Sequence, residues 1–166
     1  MCYYIGNLDL PAKKIGVSNV ADKVVEEHKA IAQKKGVLLT NSVGKDACIY
    51  GNEVLLERIL ANLVSNALKF TKEGGVTISA APAQGGKVEI IVSDTVIGMP
   101  EEILKELFKP GGKVRCKGVE NEESNGIGLI MIASMARKSG GRIWAESEKG
   151  KGSRFHVELP SAQASP

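Results

Sequence analysis

Residues 53–94, EVLLERILANLVSNALKFTKEGGVTISAAPAQGGKVEIIVSD, carry two hydrophobic periods in succession. The first is helical: Leu56, Ile59, Leu60, Leu63 and Ala67 recur at three- and four-residue spacing and line one side of an α-helix. Asn52 stands in front as an N-cap, and the helix is predicted to run to Phe70. The second period is two. Val76–Ala81 and Lys87–Asp94 alternate as strands, and Gly85-Gly86 supplies the turn of a hairpin. A long amphipathic helix feeding an antiparallel pair calls for two layers, with the helical stripe lying on the sheet.

The flanks extend the same scheme. Upstream, Val17, Val20, Ala21, Val24, His28 and Ile31 predict a helix over 18–35, with Ser18 as N-cap and Gly36 as its stop. Short strands are expected over 37–41 and 47–50, separated by SVGKD, while residues 1–17 show no period and read as a lead-in. Downstream, Pro100-Glu101-Glu102 opens a short helix ending near Phe108. Residues 109–125, KPGGKVRCKGVENEESN, read as one long loop. A helix over 126–138 stops at Gly140-Gly141, a hairpin pairs 142–148 with 153–159 across KGKG, and 161–166 is expected to be a disordered tail. Strands and helices without regular alternation make this an α+β chain, with helices covering one face of a mixed sheet.

Composition narrows the function. The chain has 166 residues, 43% apolar and 25% charged, as one ordinary globular domain does. Cys2, Cys48 and Cys116 form no CxxC pair, which argues against a disulfide framework or a zinc knot. No apolar run is long enough to span a bilayer, and MCYYIGNLDLP lacks the layout of a signal peptide, so a cytoplasmic setting is expected. Net charge is only +3, from 22 basic and 19 acidic residues, and the aromatics are one Trp, three Tyr and three Phe. That balance points away from nucleic acid.

Three constellations can carry chemistry. On the long helix, Asn62 and Asn66 lie one turn apart at the rim of the apolar stripe, with Lys69 on the same edge. Amide oxygens suit Mg²⁺ and a lysine suits a phosphate, although two amides on a solvated flank are an equally plain account. In SDTVIGMP, Asp94 ends the row Val88, Ile90, Val92, so its carboxylate points toward the core side. Such an acid needs donors, which an exocyclic amine and a water would supply; an Asp capping a turn is the simpler alternative. Gly98 then allows close approach of a flat ligand. In SNGIGL, 124–129, glycines enter a helix whose free N–H groups suit phosphates, or else form a plain hinge.

Together these motifs resemble the catalytic and ATP-binding domain of sensor histidine kinases, in the GHKL superfamily. ERILANLVSNALKFT resembles the N box, SDTVIGMP the G1 box, LFKP at 107–110 the F box, SNGIGL the G2 box, and GRIWAESEKGKGSRFHVELP the closing strands. The resemblance covers most of 18–160. It implies a two-layer α/β sandwich, the Bergerat fold, with a mostly antiparallel mixed sheet of about five strands under about three helices. It also implies Mg²⁺ and ATP as cofactors. Asn62, Asn66 and Lys69 would be the catalytic group, with Asn66 holding the metal. Asp94, Gly98, Ser124, Gly126, Gly128, Leu129 and Ser153 would hold the nucleotide, under a lid at 109–125. Relatives that activate water or a serine hydroxyl usually carry Glu where this chain has Asn62, which favours transfer to a histidine over an ATPase or an anti-sigma serine kinase.

The chain departs from the family at three places. Val96 stands at the first Gly of the G1 box, Ser124 at the first Gly of the G2 box, and Gly111-Gly112 follows the F box where an aromatic is common. If the Val96 position needs positive φ, a β-branched side chain is costly, and the alternative is a degenerate domain acting through protein contacts. The only histidines, His28 and His156, fall outside any His-Glu/Asp acceptor motif; His28 reads as a core or boundary residue and His156 as a solvent-facing strand residue. The implied partners are therefore an upstream histidine-containing dimerisation domain, for which 1–17 would be a linker remnant, and a response regulator. The isolated domain is expected to be monomeric, with no nucleic acid bound and no insertion in a membrane, whether or not the whole sensor is membrane-anchored.

Overall fold

A computed structural model describes residues 12–95, 116–117, 123–124, 127–148 and 150–162. Its centre is a five-stranded sheet of order β2-β4-β5-β9-β8. The strands are β2 (Val37–Asn41), β4 (Gly74–Ala83), β5 (Lys87–Asp94), β8 (Arg142–Glu148) and β9 (Gly152–Pro160). β2 pairs with β4 in parallel and every other neighbour is antiparallel. Helices α1 (Val17–Lys35), α2 (Glu53–Phe70) and α3 (Ile127–Lys138) form the second layer, so the two-layer α+β expectation holds. No described helix is long and apolar enough to cross a membrane.

The helix stripe and the strand alternation meet in one core. Leu56, Ile59, Leu60 and Leu63 of α2 are buried, and so are Val64 and Leu68, outside the stripe read from the sequence. The added burial follows from position: α2 packs against α1 on one side and α3 on the other, above β5 and β4. Each such side chain contributes about 1.5–3 kcal/mol on full burial. From the sheet, Val88, Ile90 and Val92 meet Leu159, Val157 and Phe155 of β9 in register on the helix-facing side. Asn52 accepts the Leu55 N–H at 3.1 Å, as an N-cap should. Gly36 takes a left-handed φ of 71° and stops α1, so that β2 starts one residue later. Across α1 and α2, Lys23 Nζ meets Glu57 Oε2 at 3.0 Å, a contact that raises the Lys23 pKa above its ordinary value.

Several expectations need correction. Residues 13–16 are not a featureless lead-in: β1 (Lys13–Gly16) pairs antiparallel with β3 (Cys48–Gly51) in a separate ladder. The sequence of β1, KKIG, has a single apolar side chain and so no alternation to read. Consequently α1 starts at Val17, with Gly16 at the cap and no side-chain cap bond, so Ser18 is not the N-cap. Ile31 is 53% exposed, because α1 turns only Val17, Val20, Ala21, Val24 and Ala32 into the core. Inside 109–125, β6 (Cys116–Lys117) and β7 (Glu123–Ser124) form a two-residue ladder, too short for a sequence signal. Ser161 is not part of a disordered tail: its N–H donates to Gly86 O at 2.9 Å and it bridges to Ile49. The predicted helix over 100–108 lies outside the described residues.

His156 is also corrected. Alternation does place it on the sheet face away from the helices, yet it is only 5% exposed. Its cross-strand partner Trp144 stacks on it, with centroids 4.9 Å apart and planes within 3°. Glu89 receives its Nδ1–H, and Arg142 lies 4.5 Å above the Trp144 ring. Neighbouring strands, not the core, bury this histidine. His28 is half-buried, with Nδ1 2.8 Å from Val24 O, which fits a boundary position.

Candidate functional site

The amide pair on α2 is an assembled unit. Asn66 is 9% exposed and its Nδ2 donates to Asn62 Oδ1 at 2.9 Å. That bond turns the Asn66 carbonyl oxygen away from Asn62. An oriented neutral oxygen is a suitable ligand for Mg²⁺, which keeps several waters and takes few protein ligands. Among the described residues no group of three or more His, Cys, Asp or Glu could hold a metal. Neither amide can accept a proton from a nucleophile. Lys69 follows on the same side of α2 and is half-buried.

The end of α2 is held by a neighbour. Lys35 of α1 donates to Leu68 O and, at 3.4 Å, to Lys69 O, while Thr71 Oγ1 donates to Ala67 O at 2.7 Å. A cation and a hydroxyl on the last carbonyls stabilise the helix terminus and keep the turn that carries Lys69 from fraying.

The acid stands at the end of β5. Asp94 is 8% exposed and lies on the same face as Val88, Ile90 and Val92, turned toward the layer that holds α2. Ser153 of β9, 5% exposed, donates its backbone N–H to Asp94 Oδ1 at 3.2 Å. The pair is locked from two sides. Thr95 Oγ1 accepts the Gly75 N–H at 3.1 Å, fixing the end of β5 to β4. Gly152 has φ 111°, and a Cβ there would stand 2.2 Å from Asp94 O, so only glycine lets β9 approach. A cavity of about 420 Å³ opens at this end of the sheet, lined by Asp94, Glu146, Ser147, Lys151, Ser153 and Arg154 among others.

The sequence-predicted residues thus fall into two touching pairs, Asn62–Asn66 and Asp94–Ser153, on elements that pack on each other. Leu129 differs from expectation in one respect: its side chain is 3% exposed and belongs to the core, so only its backbone could meet a ligand. Gly128 lies in the first turn of α3, where helical N–H groups lack partners within the helix. Ser124 is in β7, opposite Cys116. Gly98, Gly126 and Val96 lie outside the described residues. Sequence reading overlooked Ser147, which stands opposite Ser153 and whose Oγ is 2.9 Å from Ser153 Oγ. The hairpin register across KGKG is the signal that would have found it.

Comparison with known proteins follows the same lines. The model of the family described as "Histidine kinase-, DNA gyrase B-, and HSP90-like ATPase" matches residues 51–163. The adaptive-response sensory kinase SasA of Crocosphaera subtropica is 32% identical over 155 residues, 92% of this chain and 40% of that protein. The chain therefore spans well under half the length of this curated relative. Among solved structures, full-length ShkA in complex with AMPPNP superposes with a TM-score of 0.82 at 27% identity, over 97% of this chain and 33% of that one. The nucleotide-free catalytic domain of histidine kinase ThkA gives 0.75 at 21% identity, over 91% of this chain and 96% of that one, a likeness of fold.

Proposed function

The chain belongs to the family of histidine kinase-, DNA gyrase B- and HSP90-like ATPases, and from that premise we propose that it is the ATP-binding catalytic domain of a sensor histidine kinase. It would transfer the γ-phosphoryl group of ATP to a histidine on a separate dimerisation domain, which then supplies a response regulator. The observation that carries this reading is the buried Asp94 carboxylate, held by the Ser153 N–H at the mouth of a cavity and turned toward the helix layer, in which α2 presents an oriented pair of amides.

Each group has work suited to its chemistry. Asp94 accepts the exocyclic amine of adenine, and Ser153 holds the base from β9. Asn66 offers an oxygen to Mg²⁺, with Asn62 fixing its orientation. Bound with ATP, Mg²⁺ supplies charge neutralisation on the phosphates. Lys69 adds a point charge to the same end, and the first turn of α3 offers backbone N–H groups. The residues here position and neutralise, which is the greater part of phosphoryl-transfer catalysis. An imidazole nucleophile needs no carboxylate base, which agrees with two asparagines where a proton acceptor would otherwise stand.

Titration calorimetry of the domain with Mg²⁺ and a non-hydrolysable ATP analogue tests this. The reading expects saturable binding and little turnover without an acceptor domain. No heat at millimolar ligand would refute it. Val96 favours one alternative, a degenerate domain that acts through protein contacts, and the Val96→Gly comparison below separates the two.

A further inference from the structure

We infer that His156 and Glu146 form a binding site for a divalent cation of the zinc type, on the sheet face turned away from the helices. None of the residues proposed to hold nucleotide or Mg²⁺ contributes a ligand to it. His156 lies in β9 between Ile91 of β5 and Trp144 of β8. Its side chain is 7% exposed. The ring donates its Nδ1–H to Glu89 Oε1, which fixes the tautomer and leaves a lone pair on Nε2. Nε2 is buried and has no hydrogen-bond partner among the described residues. Buried polar atoms are nearly always satisfied, so an orphaned ring nitrogen calls for an occupant.

Glu146 supplies the second ligand. Its Oε2 stands 3.3 Å from Nε2, within ion-pair distance, yet the two make no hydrogen bond. An imidazolium shared by Glu89 and Glu146 would make one there. A tetrahedral ion about 2.0–2.1 Å from both atoms sets them about 3.3–3.4 Å apart, which is the spacing seen. Imidazole and carboxylate are ordinary zinc ligands, and a carboxylate on the other ring nitrogen is the usual support of a metal-bound histidine. Charge on this part of the face favours a cation. Glu89, Glu146 and Glu158 stand against Arg142 and Arg154, and Arg142 is taken up by Glu158 at 3.2 Å and by the Trp144 ring. Glu146 is 65% exposed, which gives an ion its way in. With two protein ligands, waters complete the coordination and the ion is exchangeable.

The test titrates the nucleotide-free domain with Zn²⁺ in a non-chelating buffer at mildly alkaline pH, following the imidazole ¹⁵N resonances of His156 by long-range ¹H–¹⁵N correlation. Before Zn²⁺ is added, the spectrum should show the Nδ1–H tautomer. Zn²⁺ should then move the Nε2 resonance saturably. Glu89→Gln keeps an acceptor for Nδ1–H but removes the charge behind the ring. It should raise the Zn²⁺ concentration at half-saturation by about tenfold, the lower end of the loss for an outer-shell partner. Glu146→Gln, at an exposed position where the fold is not at stake, should raise it further. Three results would each overturn the inference: an Nε2 resonance unmoved up to millimolar Zn²⁺, as when the ion is taken up only at His28 or a cysteine; a ring protonated on both nitrogens before Zn²⁺ is added; or a half-saturation point that Glu146→Gln leaves in place. The proposed nucleotide site stands or falls separately, since no nucleotide enters the measurement.

Discussion

Gly152 is the position where fold and site can be broken by one carbon atom. In Gly152→Ala the new Cβ would lie 2.2 Å from Asp94 O and 3.1 Å from the Thr95 Cα. Both atoms are backbone, so no flexible side chain can give way. A φ of 111° adds strain for any L side chain, on the order of 1–3 kcal/mol. Relief requires β9 to move away from β5, which lengthens the 3.2 Å bond from Ser153 N–H to Asp94 Oδ1. A buried carboxylate deprived of a donor costs about 1–3 kcal/mol more. The sum, about 2–6 kcal/mol, is a large part of the 5–15 kcal/mol typical of a domain. Urea denaturation followed by circular dichroism should show the midpoint falling at an unchanged slope. Calorimetry on the folded fraction should show nucleotide affinity falling by tenfold or more. A variant within about 0.5 kcal/mol of wild type, the range of ordinary surface changes, with intact binding would refute the claim that β9 is held against Asp94 by the absence of a side chain.

Other substitutions address separate parts of the account. Lys35→Met keeps the aliphatic stem but removes the cation from the α2 carbonyls; it should cost about 0.5–2 kcal/mol in urea unfolding, the range for a charge at a helix end with its hydrogen bonds. Its effect on nucleotide affinity should be smaller than that of Lys69→Met, and the reverse order would remove Lys69 from phosphate contact. Val96→Gly should change ATP affinity by less than about threefold if the native site is competent, since the family glycine is then dispensable; a gain beyond tenfold, about 1.4 kcal/mol, would establish the degenerate alternative.

The central elements were legible because their signals are long and periodic. Eighteen residues of α2 and eight of β5 repeat their patterns often enough to fix type, bounds and face. Asp94 could be read as buried because it continues the phase of Val88, Ile90 and Val92. The misreadings share two causes. β1 has one apolar residue in four, and β6 and β7 have two residues each, so none shows an alternation, and they exist through pairing partners distant in sequence or set inside a loop. His156 and Ile31 were misjudged because phase tells which face a residue takes and not what covers that face. A stacked tryptophan buries one, and solvent reaches the other. Ser147 was missed for the related reason that its significance is its cross-strand partner.

The most direct test of the site is Asp94→Asn. The Ser153 N–H would hold the amide oxygen as it now holds Oδ1, which turns the NH₂ group toward the base, donor against donor. The account predicts a fold unchanged by circular dichroism and ATP affinity reduced by about a hundredfold or more, the combined loss of a charge-assisted bond and gain of a mismatch. Equal calorimetric affinity of Asp94→Asn and wild type for Mg-ATP would contradict it.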